Sequence, residues 1–377
     1  MKILHTADWH LGKKLEGYSR LHEQEETLKQ LRKIALEEQV SAIVIAGDIY
    51  DQSIPSIEAI RLYKETLQQL NLEDGFPIFA ISGNHDSAER LAEGKKWYEQ
   101  TQFYLATTLE EAFQPIRLGN VQFFLLPFMH PHAIRRYFQD ETLTNIQEGM
   151  KRIVAKMEQQ FADDCYHVLV THFFVEGSQR TDSETTSTVG GLDNIHQGIF
   201  QSFDYVALGH LHSSTAIQQG KARYSGSLLK YSLSEKNQTK GAYIIDFADE
   251  MSITFRPFDV IRDVTEIKGT MDELMTSSAY IEAEKQYVGI KVEDKESILN
   301  MAQRLKSRYP YLLTIERCFR PSETVEMKTP SFQEWDVLEM AKRYYQQVMD
   351  ENLSVEQEHW LKTVQEERAM EDESCDH

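Results

Sequence analysis

The amino-acid sequence predicts an α/β protein that carries a small second α/β unit and ends in helices. Short apolar runs, rich in β-branched and aromatic residues, recur through the first 258 residues, as buried strands require. Helical patterns, with apolar residues three and four positions apart, lie between these runs. The alternation of strand and helix indicates an α/β architecture, and the pattern changes after Arg256 and Pro257.

Six short apolar runs predict the strands of the first part, at residues 2–4, 42–46, 76–81, 121–126, 168–170 and 205–208. One helix between them carries an apolar stripe of Leu28, Leu31 and Ala35. A second helix opens at Pro55 and places four apolar residues on one face, namely Ile60, Tyr63, Leu67 and Leu70. Later runs at residues 242–247 and 251–255 predict an antiparallel addition.

The remainder of the chain predicts a smaller unit and then helices. Strands are expected at residues 264–267, 287–292 and 312–315, and an apolar stripe between the last two predicts a helix. From residue 330 the pattern is helical, with one apolar face made of Phe332, Trp335, Leu338, Ala341, Tyr345 and Val348. Ser354 and Gln357 form a capping box for the last helix. We therefore expect domains at 1–260, 263–325 and 330–377, the last with an acidic tail.

Composition limits the class of protein. The chain has 377 residues, with 60 acidic and 40 basic side chains and a net charge of -20. This charge argues against indiscriminate binding to nucleic acid, although bound cations or a basic patch can reverse the field at one site. We find no signal-peptide pattern and no apolar stretch approaching the ~20 residues of a spanning helix. Three widely spaced cysteines complete a pattern that favours the reducing cytoplasm.

Chemically functional residues follow five of the predicted strands. They are Asp8 and His10, Gly47-Asp48, Gly83 to Asp86, His172, and Gly209 to His212. Because the carboxyl ends of the strands of an α/β sheet share one edge, we expect these segments to converge. Each segment alone suits a turn or an ordinary hydrogen-bonded side chain. Five in succession indicate a functional site.

Seven of these side chains are candidate metal ligands, namely Asp8, His10, Asp48, Asn84, His172, His210 and His212. Seven are too many for one ion of four to six ligands. If one carboxylate bridges, they divide between two ions about 3.5–4 Å apart, a spacing used in phosphoester hydrolysis. Nitrogen and oxygen donors without thiolate favour manganese, iron or zinc over magnesium. Mn²⁺ is the first choice, although ligand types do not decide among these metals.

The ordered motifs resemble those of the calcineurin-like metallophosphoesterases. The matching segments are Asp8-Trp9-His10, GDIYD from Gly47, GNHD from Gly83, Thr171-His172 and GHLH from Gly209. The resemblance implies a sandwich of two mixed sheets flanked by helices. It also implies two ligand sets that share Asp48: Asp8, His10, Asp48 and His212 for one metal, and Asp48, Asn84, His172 and His210 for the other.

The same resemblance assigns roles to two residues that are not ligands. His85 would donate a proton to the leaving oxygen or steady the phosphate, and Asp51 would hold a carboxylate against its imidazole. A turn or helix-cap carboxylate is the alternative for Asp51.

Further segments resemble a branch of DNA nucleases that work with an ATPase subunit. They are HTADWHLGKKLEG near the start, GDIYDQ, and YSGSLLKYSLSE after the GHLH motif. The resemblance implies a Mn²⁺-dependent exonuclease on duplex ends and endonuclease on single strands and hairpins, in DNA repair, recombination and replication. It also implies that residues 263–325 orient DNA, that the C-terminal helices dock the ATPase, and that two nuclease subunits pair within a heterotetramer.

The sequence leaves other functions open. Gln52 stands where the related protein phosphatases have arginine, which favours a singly charged diester over a phosphoprotein. Seven basic residues are candidate DNA contacts, although any one of them could be a solvated surface charge: Lys13, Lys14, Arg20, Arg90, Lys95, Lys96 and Arg180. The alternatives are a phosphoesterase acting on a phosphoprotein or small nucleotide, and a non-catalytic scaffold that holds a partner.

Overall fold

The computed structural model describes residues 1–143, 145–178, 181–182, 184, 195–217, 220–294, 296–318, 337–349 and 352–374. The chain divides into two compact units, Met1–Arg317 and Cys318–His377. Within the described residues, no helix combines the length and the apolar character that crossing a membrane requires.

The strands all lie in the first unit. In chain order they are β1 Lys2–Thr6, β2 Lys14–Leu15, β3 Tyr18–Ser19, β4 Ala42–Ala46, β5 Ile78–Ile81, β6 Phe103–Ala106, β7 Ile116–Leu118, β8 Val121–Leu126, β9 Tyr166–His172, β10 Tyr205–Gly209, β11 Ala222–Tyr224, β12 Gly241–Asp246, β13 Ser252–Pro257, β14 Val264–Gly269, β15 Tyr287–Val292 and β16 Leu312–Arg317, for the part of the chain that the structure describes.

Helices occur in both units. The α-helices are α1 Leu21–Glu37, α2 Ile57–Leu67, α3 Ala88–Leu91, α4 Lys95–Tyr98, α5 Pro131–Phe138, α6 Ile146–Glu158, α7 Met271–Thr276, α8 Met301–Arg308, α9 Val337–Met349 and α10 Val355–Ser374. A π-helical turn at Gln68–Glu73 extends α2. Single 3₁₀ turns occupy Glu99–Thr101, Glu111–Phe113, Gln197–Phe200, Leu233–Glu235, Ser278–Tyr280 and Glu282–Lys285.

Two mixed sheets form the centre of the first unit. The first has the order β13-β12-β1-β4-β5-β6, in which β1, β4, β5 and β6 are parallel and β12 and β13 are antiparallel. The second has the order β11-β10-β9-β8-β7, parallel except for β7. In the first sheet Thr6 pairs with Ile45 and Ala46 with Ile81, so the carboxyl ends of β1, β4 and β5 are level.

Apolar side chains fill three layers around these sheets. One layer lies between the sheets, where the rings of Phe79 and Phe123 stack with centroids 3.9 Å apart. A second layer packs helices α1 and α2 against the first sheet, with Leu31 fully buried. A third packs α6 against the second sheet, with Met150 fully buried. The prediction of two mixed sheets flanked by helices is therefore confirmed, and burial of this apolar surface is the main driving force of folding.

The predicted strands of the two sheets are present, with small shifts in their ends. One helix start differs: α2 begins at Ile57 rather than at Pro55, because the Ser56 side chain caps it by accepting from the Ala59 N–H at 3.2 Å. Strands β6, β7 and β11 were not predicted. All three lie at sheet edges, and β7 and β11 are only three residues long.

A third sheet, of β14, β15 and β16, is wholly parallel. Helices α7 and α8 cover it and share with it an apolar core that contains Leu274, Ile290 and Leu305. All three predicted strands are confirmed. Residues 1–260 and the third sheet both fall in the first compact unit, so the boundary expected between residues 260 and 263 stays a prediction.

The second unit contains α9 and α10. The predicted capping box at the start of α10 is confirmed, because the Gln357 N–H donates to Ser354 Oγ at 3.2 Å and the Ser354 N–H donates to Gln357 Oε1 at 2.8 Å. Lys342 of α9 pairs with Glu358 of α10 at 2.9 Å. Phe332 and Trp335, which were predicted on the apolar face, lie outside the described residues.

Candidate dinuclear metal centre

The seven predicted ligand side chains lie together at the carboxyl ends of five strands. Asp8 and His10 follow β1, Asp48 follows β4, Asn84 follows β5, His172 ends β9, and His210 and His212 follow β10. All except Asn84 are buried. Backbone hydrogen bonds join the first two loops, since the Asp8 N–H donates to Gly47 O and the His10 N–H donates to Asp48 O, each at 3.0 Å.

Three of these side chains form the first group. The Nε2 atoms of His10 and His212 are 3.0 Å apart, and one carboxylate oxygen of Asp8 lies within 4.8 Å of a ring nitrogen of each. Two imidazole nitrogens bound to one cation at about 2.1 Å and at a right angle would be about 3 Å apart. The His10–His212 separation therefore fits two ligands of one ion.

Asp48 joins the first group to a second. Its Oδ2 atom lies 3.5 Å from His10 Nε2 and 3.3 Å from His172 Nε2. Asn84 Oδ1 completes the second group, at 3.0 Å from His172 Nε2 and 3.0 Å from His210 Nδ1. A carboxylate between two groups of nitrogen and oxygen donors has the position that a bridging ligand needs.

Backbone strain accompanies four of the seven side chains. Asp8, His10, Asp48 and His210 have φ angles of 50°, 44°, 50° and 99°, in the left-handed region that residues with a Cβ rarely adopt. Such conformations cost about 1–3 kcal/mol each and persist where the surrounding structure enforces them, often at functional sites. The sequence motifs carry no direct sign of this strain.

Two glycines permit the close approach of the loops. A Cβ at Gly83 would overlap the carboxylate and the backbone nitrogen of Asp48. A Cβ at Gly209 would overlap the carbonyl oxygen of Ala46 and would lie 2.7 Å from His172 Nδ1. The glycines of the GNHD and GHLH motifs are therefore needed for packing at the site.

Burial and neighbouring charges shift the pKa values of three of these side chains. Burial raises the pKa of Asp8 to about 7, because its carboxylate is removed from water. Burial acts in the same direction on Asp48, but the charges of His172, His10 and His85 hold its pKa well below the usual range. Burial opposes the charged form of His172, yet Asp48 and Asp8 raise its pKa to about 9. The carboxylates thus attract a proton onto His172, which a bound metal ion would displace.

His85 lies beside this set, and the backbone of Asp51 is one of its partners. His85 Nδ1 is 2.8 Å from the backbone oxygen of Asp51. The Asp51 carboxylate has two further neighbours: Oδ1 is 3.5 Å from His10 Nδ1 and accepts from Lys13 Nζ at 2.7 Å. One carboxylate oxygen of Asp51 also lies within 4.8 Å of a ring nitrogen of His85, so the expectation that this carboxylate supports the His85 imidazole stays a prediction. The loop turns so that the main chain of Asp51 reaches His85 while its side chain reaches His10.

Comparisons with known proteins identify the family. Residues 1–214 match the family model described as calcineurin-like phosphoesterase, and residues 260–349 match the model described as type 5 capsule protein repressor C-terminal domain. A protein from Staphylococcus epidermidis, named as the SbcD subunit of the nuclease SbcCD, is 37% identical over 360 residues, which cover 94% of this chain and 95% of that protein. The chain belongs to the SbcD family.

Solved structures also resemble this SbcD-family chain, with low TM-scores. A dimetal phosphatase from Danio rerio is 13% identical, with a TM-score of 0.40, over 68% of this chain and 96% of that chain. The phosphoesterase YfcE from E. coli is 14% identical, with a TM-score of 0.28, over 66% of this chain and 89% of that chain. The assignment to the SbcD family depends on the sequence matches.

Two residues to which the sequence analysis assigned no role fix the loops of this SbcD-family site. Asp86 accepts three backbone N–H groups, from Ile49 at 3.1 Å, Tyr50 at 2.9 Å and Gly83 at 2.9 Å, and so ties the loop after β4 to the loop after β5. Burial raises the pKa of Asp86 to about 6. Asp86 belongs to the GNHD motif, and this motif was the sequence feature that could have indicated a role for it.

Gln24 of α1 is the other residue to which the sequence analysis assigned no role. Its Nε2 atom donates to His10 O and to Tyr231 Oη, each at 2.8 Å, and its Oε1 atom accepts from the Gly12 N–H at 3.1 Å. These contacts hold the loop that carries His10. No motif in the sequence marks Gln24.

The predicted DNA-contacting residues fall into three groups. Lys14, Arg90 and Lys96 are exposed. Lys13 and Lys95 pair with Asp51 and Glu111. The prediction for Arg20 was wrong in this structure, because Arg20 is buried, donates to Lys230 O at 2.9 Å and lies over the Tyr287 ring. Arg180 lies outside the described residues.

Proposed function

We propose that this chain is the nuclease subunit of a DNA-cleaving complex and that it hydrolyses phosphodiester bonds with two divalent cations. The observation that carries the proposal is the position of Asp48, whose Oδ2 atom lies between His10 Nε2 and His172 Nε2. Membership of the SbcD family supports it, because the relative from Staphylococcus epidermidis is named a nuclease subunit.

The proposed ligand sets follow the two groups of side chains. Asp8, His10, Asp48 and His212 would hold one cation, and Asp48, Asn84, His172 and His210 would hold the other. Bound cations would supply Lewis-acid stabilisation of the phosphate oxygens and activation of the attacking water. The mixture of imidazole, carboxylate and amide donors supports Mn²⁺ as the ion.

His85 is the proposed proton donor to the departing sugar oxygen. Its backbone N–H donates to Asp48 Oδ1 at 2.9 Å, which sets its ring beside that of His10, with centroids 4.8 Å apart. Its Nδ1 atom must donate to the backbone oxygen of Asp51, because a carbonyl oxygen only accepts. Nε2 is therefore the ring nitrogen that would transfer a proton to the substrate.

The proposed substrate is DNA without base specificity, cut from duplex ends and within single strands or hairpins. Exposed Lys14, Arg90 and Lys96 would follow phosphates, which carry no sequence information. Gln52 is also exposed, and it occupies the position where the related protein phosphatases have an arginine that suits a phosphomonoester. Residues 263–325 would orient the DNA, and the separate apolar core of the third sheet supports a distinct module there.

The proposed partner is an SbcC-like ATPase that binds the C-terminal helices. Tyr344 and Trp360 are 70% and 66% exposed, and large exposed aromatic side chains on two helices support a docking role. Two nuclease subunits would pair in the assembly. The proposed roles of this assembly are DNA repair, recombination and replication. Because its proposed substrate is DNA, we place the assembly in the cytoplasm.

The proposal is tested with purified protein, Mn²⁺ and the ATPase partner. Linear duplex, single-stranded and hairpin DNA should be cut, whereas a phosphopeptide and free nucleotides should be turned over far more slowly. Asp48→Ala provides the negative control. Turnover of the small phosphoesters with all DNA intact would overturn the nuclease assignment and support a phosphoesterase of another substrate class.

A further inference from the structure

A buried ion pair lies directly behind one of the proposed ligands. The side chains of Glu235 and Lys240 are 0% and 1% exposed, and Lys240 Nζ donates to Glu235 Oε2 at 2.5 Å. Burial lowers the pKa of Lys240, while the charges of Lys240 and His212 hold the pKa of Glu235 below its usual range despite its burial. Removing two charges from water is costly, so a pair at this depth calls for an explanation.

The pair contacts His212 at both its ring and its main chain. Glu235 Oε1 lies 3.5 Å from His212 Nδ1, and Lys240 Nζ donates to the His212 carbonyl oxygen at 2.7 Å. Lys240 also donates to Ser227 Oγ at 3.0 Å. Glu235 therefore lies on the Nδ1 side of the His212 ring, whereas His10 lies on the Nε2 side, with its own Nε2 atom facing His212 Nε2.

Glu235 is itself held firmly in place. Its Oε1 atom accepts from the Tyr231 N–H at 3.1 Å, and Glu235 ends the 3₁₀ turn Leu233–Glu235. Leu233 of that turn packs in an apolar cluster with Val264 and Tyr287 of the third sheet. The next residue, Lys236, pairs with Glu266 at 2.7 Å. Tyr231 and Lys240 thus hold the carboxylate itself, and the contacts of Leu233 and Lys236 hold the turn that carries it.

We infer that Glu235, supported by Lys240, is a positioning residue for the proposed cation of the Asp8, His10, Asp48 and His212 set. This inference depends on the proposed two-metal function. A carboxylate that accepts from one ring nitrogen of a histidine fixes the orientation of the ring and makes the other nitrogen a better metal ligand. Here the carboxylate faces Nδ1 and the proposed metal position faces Nε2.

The groups behind His10 and His172 differ. His10, in the same set as His212, also has a carboxylate behind its ring, since Asp51 Oδ1 lies 3.5 Å from His10 Nδ1 and pairs with Lys13. His172, in the other set, has a neutral backbone group instead, since its Nδ1 lies 2.8 Å from Ala46 O. Because Glu235 contacts His212, which belongs to one proposed set, loss of the Glu235 charge should weaken one cation and spare the other.

The test is the binding of Mn²⁺ to Glu235→Gln, measured by calorimetry and by electron paramagnetic resonance of the free ion. The amide keeps the volume of the side chain and removes its charge. One of the two Mn²⁺ ions should bind about 10- to 100-fold more weakly, and the other should bind as in the wild type. Glu111→Gln is the matched control, because Glu111 pairs with Lys95 and accepts from the Thr107 N–H, outside the site.

A second variant separates positioning from folding. Glu235→Gln leaves the Lys240 charge buried and unpaired, which destabilises a protein strongly, whereas Glu235→Gln with Lys240→Met removes both charges. The double variant should recover thermal stability while one Mn²⁺ still binds weakly. Wild-type affinity for both ions, in either variant, would overturn the inference. The proposed function fails separately, if the wild type itself does not bind two ions or if Asp48→Ala binds them equally well.

Discussion

His85 Nδ1 lies 2.8 Å from the backbone oxygen of Asp51, and this contact determines which nitrogen of the ring can act on a substrate. The backbone oxygen is part of the loop after β4, as is the proposed bridging residue Asp48. The same loop therefore sets the position of both a metal ligand and the proposed proton donor. Asp51 contacts His85 through its main chain, so this contact remains when the Asp51 side chain is substituted.

The first prediction separates His85 from the ligands. His85→Ala should bind two Mn²⁺ ions and lose most DNA cleavage, about 10²–10⁴-fold, because general acid catalysis typically contributes that much. Asp48→Ala should lose metal binding, because its carboxylate is shared by both sets. Metal content after dialysis and cleavage rates decide between them. Equal loss of metal in both variants would show that His85 is a ligand.

The second prediction concerns the side chain of Asp51. Because its carboxylate faces His10 and Lys13, Asp51→Asn should weaken the binding of one Mn²⁺ ion, and a large excess of Mn²⁺ should restore most of the cleavage. The pH profile at saturating Mn²⁺ should match that of the wild type, since the backbone contact to His85 remains. A loss that Mn²⁺ does not restore, with a shifted pH profile, would place the carboxylate against His85.

The third prediction tests the attachment of the third sheet. Arg262 donates to buried Glu23 at 2.7 Å and lies 3.7 Å from the centroid of the Tyr311 ring, and Tyr287 Oη donates to the same carboxylate at 3.0 Å. Arg262→Ala should lower the free energy of unfolding by about 2–3 kcal/mol, because a charged hydrogen bond to a buried group is lost. Duplex cutting should fall more than hydrolysis of a nitrophenyl diester.

Arg117→Ala is the control for that substitution. Arg117 pairs with Asp164 at 2.9 Å on the surface, with both side chains largely exposed, so its loss should cost little. Equal losses on duplex DNA and on the small diester in Arg262→Ala would mean that the third sheet serves stability alone.

The fourth prediction concerns pH and stability. His5 is fully buried, lies 2.9 Å from Tyr205 Oη, and has its pKa lowered to about 3 by burial. The unfolded chain takes up this proton near pH 6.5, whereas the folded chain does so only near pH 3. The contribution of neutral His5 is therefore complete above about pH 6.5 and is lost progressively as the pH falls toward 3.

The measurement compares the free energy of unfolding of the wild type with that of His5→Asn, both in the presence of a metal chelator. Between pH 6.5 and 4 the wild type should lose about 1.4 kcal/mol of unfolding free energy per pH unit more than the variant. Denaturant unfolding at several pH values gives both curves. Parallel curves would mean that His5 becomes protonated in the folded protein.

The fifth prediction concerns the C-terminal helices. Truncation after residue 328 should abolish binding of the ATPase while metal binding and hydrolysis of a small diester continue, because α9 and α10 belong to a separate compact unit. Trp360→Ala in the full chain, which removes a 66% exposed side chain, should weaken the same binding with no change in thermal stability. Co-purification of the truncated chain with the ATPase would contradict the docking role. If the truncated chain unfolds instead, the helices serve to stabilise the rest of the protein.

The sequence predicted the central strands of the two main sheets but missed three of their four edge strands, β6, β7 and β11. Strands such as β4 are buried on both faces and therefore consist of uninterrupted apolar residues. The edge strand β7 has only half-buried and exposed residues, and its short sequence does not differ from that of a loop. Sheet pairing, which no local pattern contains, decides whether such a segment becomes a strand.

The same distinction applies to the site. The ligand candidates were recognisable because each directly follows a strand and belongs to a short motif. Glu235, Lys240 and Gln24 were not assigned a role, because their contacts with His212 and His10 arise from segments that meet only in the folded chain. The orientation of Asp51 likewise depends on a turn of the main chain that its residue type does not reveal.

The pairing of β1 has a consequence for synthesis on the ribosome. β1 lies between β4 and β12, so its second neighbour is residues Gly241–Asp246, and β13 follows at Ser252–Pro257. When Asp8 and Asp48 of a nascent chain have left the ribosome, His212, Lys240 and strand β12 have not yet been synthesised. Translation must therefore proceed past about two thirds of the chain before the site can assemble. The order of the segments therefore keeps the proposed metal site incomplete in unfinished copies of the protein.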